Sequence, residues 1–254
     1  MCARSAGTTI FGIRYVPIEM PSSSTLSLIA QVHEAYASLM QCASSSDDPN
    51  LGGQLLYVCE LDRPGRTFAI AGNIAGAATL AASAQPAALR QAQREGAIDF
   101  VVNSLDEALR ILKNEIRKRE PVAVAVSLSP AAIEGEMMDR GVLPNLLPPA
   151  AGRAAQSSAL AAFSMQGARQ VSESPSKAAQ RLLIWPAPAA YAKNLAGFES
   201  MIAEHLAAAD HLNRRWLRLS PRYLGPATRQ LRSIACESQT AGQLVKLLGP
   251  PLNG

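Results

Sequence analysis

The chain has 254 residues and a mass of 26.8 kDa, room for one large domain or two small ones, because single hydrophobic cores stop growing near ~250–300 residues. Hydrophobic residues make up 48%, charged residues 17% and aromatics only 5%, which excludes a disordered, collagen-like or disulfide-scaffold chain and leaves Ala, Leu, Ile and Val to fill an α/β interior. The net charge of +4, from 24 basic and 20 acidic side chains, is too mild for a dedicated nucleic-acid binder.

The first eleven residues lack a basic stretch leading into a long apolar one, so no secretory signal is expected. Residues 8–20 carry Ile10, Phe11, Ile13, Tyr15 and Val16 ahead of Pro17 and read as a short edge strand. Ser22 to Thr25 supply N-cap oxygens, and Leu28 or Ile29, Val32, Tyr36 and Leu39 follow at helical spacing. The loop SSSDDPNLGG at 44–53 closes an N-terminal strand-helix extension, residues 1–52.

Residues 53–147 alternate short apolar runs with capped helices, the pattern of a parallel βαβ sheet. Strands are expected at 55–59, 80–83, 99–103, 122–126 and 142–147. Between them lie a small-residue helix in which Gly72 and Gly76 suit close packing, a helix opened by Pro86 and closed by Gly96, and a helix begun by the Ser104/Glu107 capping box. A further helix starts at Ser129 and Pro130 and ends at Gly141.

Residues 148–180, rich in Pro, Ala and Ser, read as a linker with at most one weak helix. The last region, 181–254, begins with a strand at 182–185 that is expected to extend or cover the sheet. One long helix follows, with the stripe Phe198, Ile202, Leu206, Ala209, Leu212, Trp216 and Leu219. After Pro221 come two shorter helices, at 227–236 and 240–248. The fold class is therefore α/β, a parallel Rossmann-like sheet with helices on both faces plus a C-terminal helical region.

Such a sheet binds ligands at the carboxyl ends of its strands, and the loop after the first strand reads Glu60-Leu61-Asp62-Arg63-Pro64-Gly65-Arg66. A diphosphate needs glycines there so that backbone amides can approach it; only Gly65 is present, and Glu60 and Asp62 would repel it. Arg63 and Arg66 could attract an anion as side-chain cations. The second strand ends in Ser83, where a ribose would require an acid. Arg63, Gly65, Arg66, Ser83 and Asn103 are thus the candidates for any cofactor contact.

Cys2, Cys42, Cys59 and Cys236 lie far apart, with only His33, His205 and His211 to help them, so no metal site is expected and the thiols read as reduced and cytoplasmic. Cys59, ending a buried strand, reads as a packing residue, and KNEIRKRE at 113–120 as a solvated helix end. Arg214, Arg215, Arg218 and Arg222, with Arg229 and Arg232, stand among residues 211–236 without a single acid, which suggests a surface for an anion or an acidic partner. Only Trp216 and Tyr223 interleave them, too few for a stacking platform.

IAGA at 74–77, the G-x-x-D of Gly96 and Asp99, LDEAL at 105–109 and MMDRGVLPNLL at 137–147 are similar to segments of the central NAD-binding domain of urocanase, urocanate hydratase. The resemblance covers under half of the chain. It implies a G-x-G-G-M-G-G loop where this chain has residues 60–66, an acid where it has Ser83, and a D-Q-T-S-A-H-D-P segment where it has PPAA at 148–151. It further implies a tightly bound NAD acting as an electrophile on the imidazole ring, with a catalytic cysteine and acid supplied from outside this domain.

Three losses in one site point to a urocanase-related α/β protein without NAD binding or hydratase activity, a homologue of a histidine-catabolism lyase working as a binding or accessory module. On that reading no cofactor is expected, and the partner is a small molecule or an acidic protein. The alternative is a divergent urocanase-like hydro-lyase that still holds NAD through Arg63, Gly65 and Arg66. A second alternative is an anion or nucleic-acid binder using the C-terminal arginines. No membrane partner is expected, since no run of ~18 uncharged apolar residues occurs. A nucleic acid is not favoured, and homo-oligomerisation is left open.

Overall fold

The computed structural model describes residues 21–43, 48–149, 157–172, 180–191 and 193–253. The strand expected at 8–20 and the thiol of Cys2 lie outside them. The chain divides into two compact units, Ala30–Pro175 and Met1–Ile29 with Ser176–Gly254.

The first unit takes in most of helix α1 (Ser23–Met40) and then β1 (Leu55–Glu60), α2 (Arg63–Ala75), β2 (Ala78–Ala82), α3 (Pro86–Arg94), β3 (Phe100–Val102), α4 (Leu105–Lys118), β4 (Val122–Val126), α5 (Pro130–Asp139), β5 (Leu146–Leu147), α6 (Ser158–Met165) and β6 (Arg169–Gln170). Its six strands are all parallel, in the order β3-β4-β2-β1-β5-β6. VAVAV in β4 and LLYVC in β1 are buried on both faces, as parallel strands under two helix layers must be.

Alternation sorts the two faces. Leu55, Tyr57, Leu80, Val124 and Val126 pack against Leu105, Ala108 and Leu112 of α4, Ile133 and Met137 of α5, and Leu160 and Phe163 of α6. The opposite face meets α2, where a Cβ on Gly72 would lie 2.8 Å from Thr79 Oγ1 and 3.0 Å from Leu56 Cδ2. Gly72 thus permits the close helix–sheet approach expected of it. Gly76 does something else: it ends α2 at φ 95°, its amide donating to the carbonyls of Asn73 and Gly72.

The span expected to be a linker holds α6 and β6, and β6 becomes an edge of the sheet. Two-residue strands leave no alternation to read in sequence, which is why β6 escaped notice. Caps fall where the sequence puts them: Ser104 Oγ accepts from Glu107 N and Ser129 Oγ from Ala132 N, both at 3.3 Å. The Glu107 carboxylate reaches back to the amide of Asn103, one residue earlier than a strict capping box would have it.

In the second unit β7 (Gln180–Pro186) and β8 (Leu231–Glu237) form an antiparallel pair, with helices α7 (Leu195–Ala203), α8 (His211–Tyr223) and α9 (Ser238–Leu248). Three sequence expectations are corrected here. The 182–185 strand does not extend the parallel sheet, because β7 spends its hydrogen bonds on β8. Leu231–Glu237 is a strand and not a helix: Leu183, Trp185, Ile234 and Cys236 share one core, and pairing along seven residues outweighs a weak local helix preference.

The long helix is two helices. Asp210 caps α8 by accepting from Asn213 N at 3.1 Å, which resets the helical phase. Asn213, Trp216, Leu217 and Ser220 are then the buried positions, and Leu212, expected in the core, is 40% exposed. Pro221 lies inside α8, not beyond it.

Candidate functional site

Successive crossovers run from β1 to β2 to β3 in one direction and from β3 through β4 and β5 to β6 in the other. Neighbouring strands β1 and β5 therefore lead to helices on opposite faces, α2 and α6. The crevice expected at the carboxyl ends of such a pair is the usual ligand position of an open parallel sheet.

Apart from the exposed Arg63, the charged side chains of residues 60–66 that could serve a ligand there are engaged by the chain itself. Asp62 is the N-cap of α2, and its carboxylate accepts from Gly65 N at 2.8 Å. A carboxylate of the protein thus lies on the helix N-terminus where a bound anion would sit. The Glu60 carboxylate accepts from Leu61 N at 3.3 Å. Arg66 does not face the crevice as an anion ligand: its Nε donates to Glu95 at 2.7 Å and its Nη1 to Leu61 O at 3.0 Å, tying the loop to the end of α3.

Arg63 is exposed at the first residue of α2. Ser83 is buried, and its Oγ accepts from Gln85 N at 3.3 Å, closing the turn into α3. Asn103, at the end of β3, accepts from Ser127 Oγ at 3.0 Å. It lies three strands from β1, roughly 14 Å at ~4.8 Å per strand. The five candidates are therefore not brought together as one site.

One cluster at this crevice was missed in the sequence. Glu134 of α5, 4% exposed, accepts from Tyr57 OH and Cys59 Sγ on one oxygen, each at 3.2 Å, and from Ser157 Oγ on the other at 2.9 Å. Cys59 is itself left-handed at φ 63°, where β1 loses register with β2 before Glu60. Burial, with Cys59 and Glu134 alongside, pushes the Tyr57 hydroxyl well above the usual phenol range. The visible signal was Glu134 on the stripe Pro130, Ile133, Met137, an acid at a core position. Chemically the cluster fastens the end of β1 to α5 and to the N-cap of α6.

Other titratable groups read as structural. Burial pushes the Cys236 thiol up to about 11, with the Asp210 charge adding to it, so it stays protonated. Among the described residues no cluster of His, Cys, Asp and Glu could hold a metal ion, and no helix is long and apolar enough to cross a membrane.

Burial lowers His33 on α1 to about 4. The unfolded chain binds a proton near pH 6.5 that the folded chain refuses, so stability falls as pH drops from 6.5 towards 4. The half-buried ring supports a loss of about 2 kcal/mol, less than the full shift converts to. Urea unfolding at neutral pH and near pH 4.5 should show that loss in the native chain and a smaller one in His33→Gln; parallel curves would disprove the assignment.

The arginines of α8 and β8 divide by role. Arg214 donates to the carbonyls of Ala203, Leu206 and Ala207 and so finishes α7. Arg232 is buried, bonded to Glu199 and to the carbonyls of Arg229 and Leu231. Arg218 and Arg222 are exposed, Arg222 with its guanidinium 5.2 Å from the Tyr223 ring centre, and Arg215 is half-buried.

The family model of the urocanase Rossmann-like domain matches residues 30–156. That span is half of the chain, and it contains β1 to β5 and the whole β1–α2 loop.

Proposed function

The chain belongs to the urocanase family, and we propose that within it this protein is a binding or accessory module that has given up both NAD binding and urocanate hydration. The observation that carries the reading is the Asp62 carboxylate on the N-terminus of α2, bonded to the amide of Gly65. A diphosphate would have to displace it and would meet Glu60 beside it, so the residues of this loop do not fit the family's cofactor. The ribose-binding acid is replaced by Ser83, whose oxygen serves a turn.

The divergent-lyase reading needs Arg63, Gly65 and Arg66 to hold a dinucleotide. Against it stand the Arg66–Glu95 pair and the use of the Gly65 amide as a cap partner. Cys59, at the end of β1, is 6% exposed and donates to Glu134, which suits packing better than attack on a ligand. The dispersed cysteines fit a cytoplasmic protein with reduced thiols.

Calorimetric titration with NAD at micromolar concentrations should give no saturable heat, and urocanate should not be consumed when NAD is added. NAD released in stoichiometric amount from protein purified under native conditions would overturn the proposal.

A further inference from the structure

We propose that residues 249–253 are a strap guarding the outer edge of β7, and that a second copy of this chain pairs there, strand to strand, once the strap is displaced. Ala187 N donates to Gln230 O at 2.7 Å, and pairs alternate along an antiparallel ladder, so Arg181, Leu183 and Trp185 turn their backbone groups toward β8 while Leu182 and Ile184 turn theirs away. The strap meets these outward groups. Leu252 N donates to Ile184 O at 2.7 Å, Ile184 N to Asn253 Oδ1 at 2.9 Å, and Asn253 Nδ2 to Leu182 O at 2.7 Å. A carboxamide carries the carbonyl and N–H of a peptide group, so Asn253 stands where the backbone of a third strand would.

The strap is tied lightly. Asn253 is exposed and Leu252 half-buried, and the anchor behind them is the buried Trp185, whose Nε1 donates to Gly249 O at 2.9 Å. Pro250 and Pro251, between anchor and tip, have no N–H to add. The far edge of the pair is closed more firmly. There Asn213 Nδ2 donates to Ala235 O at 2.8 Å and Trp216 Nε1 to Ser233 Oγ at 3.0 Å, and Leu231, Ser233 and Ala235 are all buried. The edge of β7 is therefore the one that can open, and a bared strand edge is a template for another chain.

The occupant is a second copy because the outward groups are their own complement. A twofold axis at Ile184 sets the N–H of each Ile184 against the carbonyl of the other, and the N–H of each Leu182 against the carbonyl of Pro186. Pro186 itself has no N–H, which the edge of a sheet tolerates. Arg181 of one chain then falls opposite Ala187 of the other, so no like charges meet.

The test is sedimentation equilibrium of the full chain, native and Leu252→Pro/Asn253→Ala, which removes the strap's N–H donor and its carboxamide. The native chain should stay near 26.8 kDa, while the mean mass of the variant rises with concentration towards twice that value. Hydrogen exchange locates the contact: the Ile184 amide of the variant should exchange fast in the dilute monomer and slowly in the dimer. Leu182→Pro, added to the variant, should weaken the association about tenfold or more by removing the Leu182 N–H from the paired edge. The strap bonds Leu182 through its carbonyl, so this proline alone should leave the native chain monomeric. If the double substitution unfolds the chain, Asn253→Ala at its exposed side chain repeats the comparison. A strap variant that stays monomeric, a dimer in which the Ile184 amide still exchanges fast, or a native chain as dimeric as the variant would each overturn the proposal.

Discussion

Replacing Glu134 with Leu is expected to lower the unfolding free energy by about 3 kcal/mol, a large share of the ~5–15 kcal/mol that holds a domain together. The carboxylate takes three hydrogen bonds, from Tyr57, Cys59 and Ser157, and an apolar side chain leaves all three donors behind. Ser157 is half-buried and can turn to water, whereas the Tyr57 hydroxyl cannot, so most of the loss belongs to the buried phenol. Tyr57→Phe alone should cost only about 1 kcal/mol, because the remaining donors still serve the carboxylate. The double variant should be more stable than the sum of the single losses predicts, since the orphaned phenol is gone. Additive losses would show that the cluster is a set of neighbours and not a network.

The same phenol predicts behaviour in alkali. Burial and its neighbours hold its ionisation well above the ordinary value of 10.0, so above that pH the unfolded chain releases a proton that the folded chain keeps. The unfolded state then binds fewer protons, and stability falls as pH rises beyond 10. Tyr57→Phe removes the group and should flatten that limb of the stability curve, read from urea midpoints between pH 8 and ~10.5. An unchanged slope would place the alkaline loss elsewhere.

How far the sequence could be read followed the physics of each segment. Strands buried on both faces, such as VAVAV in β4, have no alternative as a surface helix, and caps such as Ser104 and Ser129 announce themselves by residue type. Leu231–Glu237 did not, because seven residues of mixed preference become a strand only through β7, which is 45 residues earlier at its closest. The split of α7 from α8 was written in Asp210, but three alanines before it kept the apolar spacing intact and hid the change of phase. At the crevice the residue types were legible and their directions were not. Arg66 looked like an anion ligand until its pairing with Glu95, 29 positions away, fixed where its charge goes. Glu134 needed no distant partner to be noticed, only the recognition that an acid stood on a buried stripe.

Gly65→Ala should be among the most damaging single-methyl additions in the chain, with an expected loss of more than ~3 kcal/mol, because inserted atoms in a closed site force backbone movement. A Cβ at this position would overlap the carbonyl oxygen of Glu60, come within 3.0 Å of its carbon and within 3.2 Å of Asp62 Oδ1. Backbone cannot rotate out of the way as a flexible side chain can. Either the end of β1 or the first turn of α2 must move, and moving the helix turn breaks the Asp62 cap, worth ~1 kcal/mol by itself. Gly135→Ala is the control, since nothing lies within 4 Å of a Cβ there and the site is in the middle of α5. It should be neutral or stabilising by up to ~1 kcal/mol through helix propensity. Urea unfolding of the two variants would separate the effects. A severe loss in the first and none in the second would mean that the one glycine kept in this loop is required by the fold of β1 against α2, with no phosphate needed to explain its presence. Tolerance of Gly65→Ala would instead remove the steric account and return the glycine to the argument for a bound nucleotide.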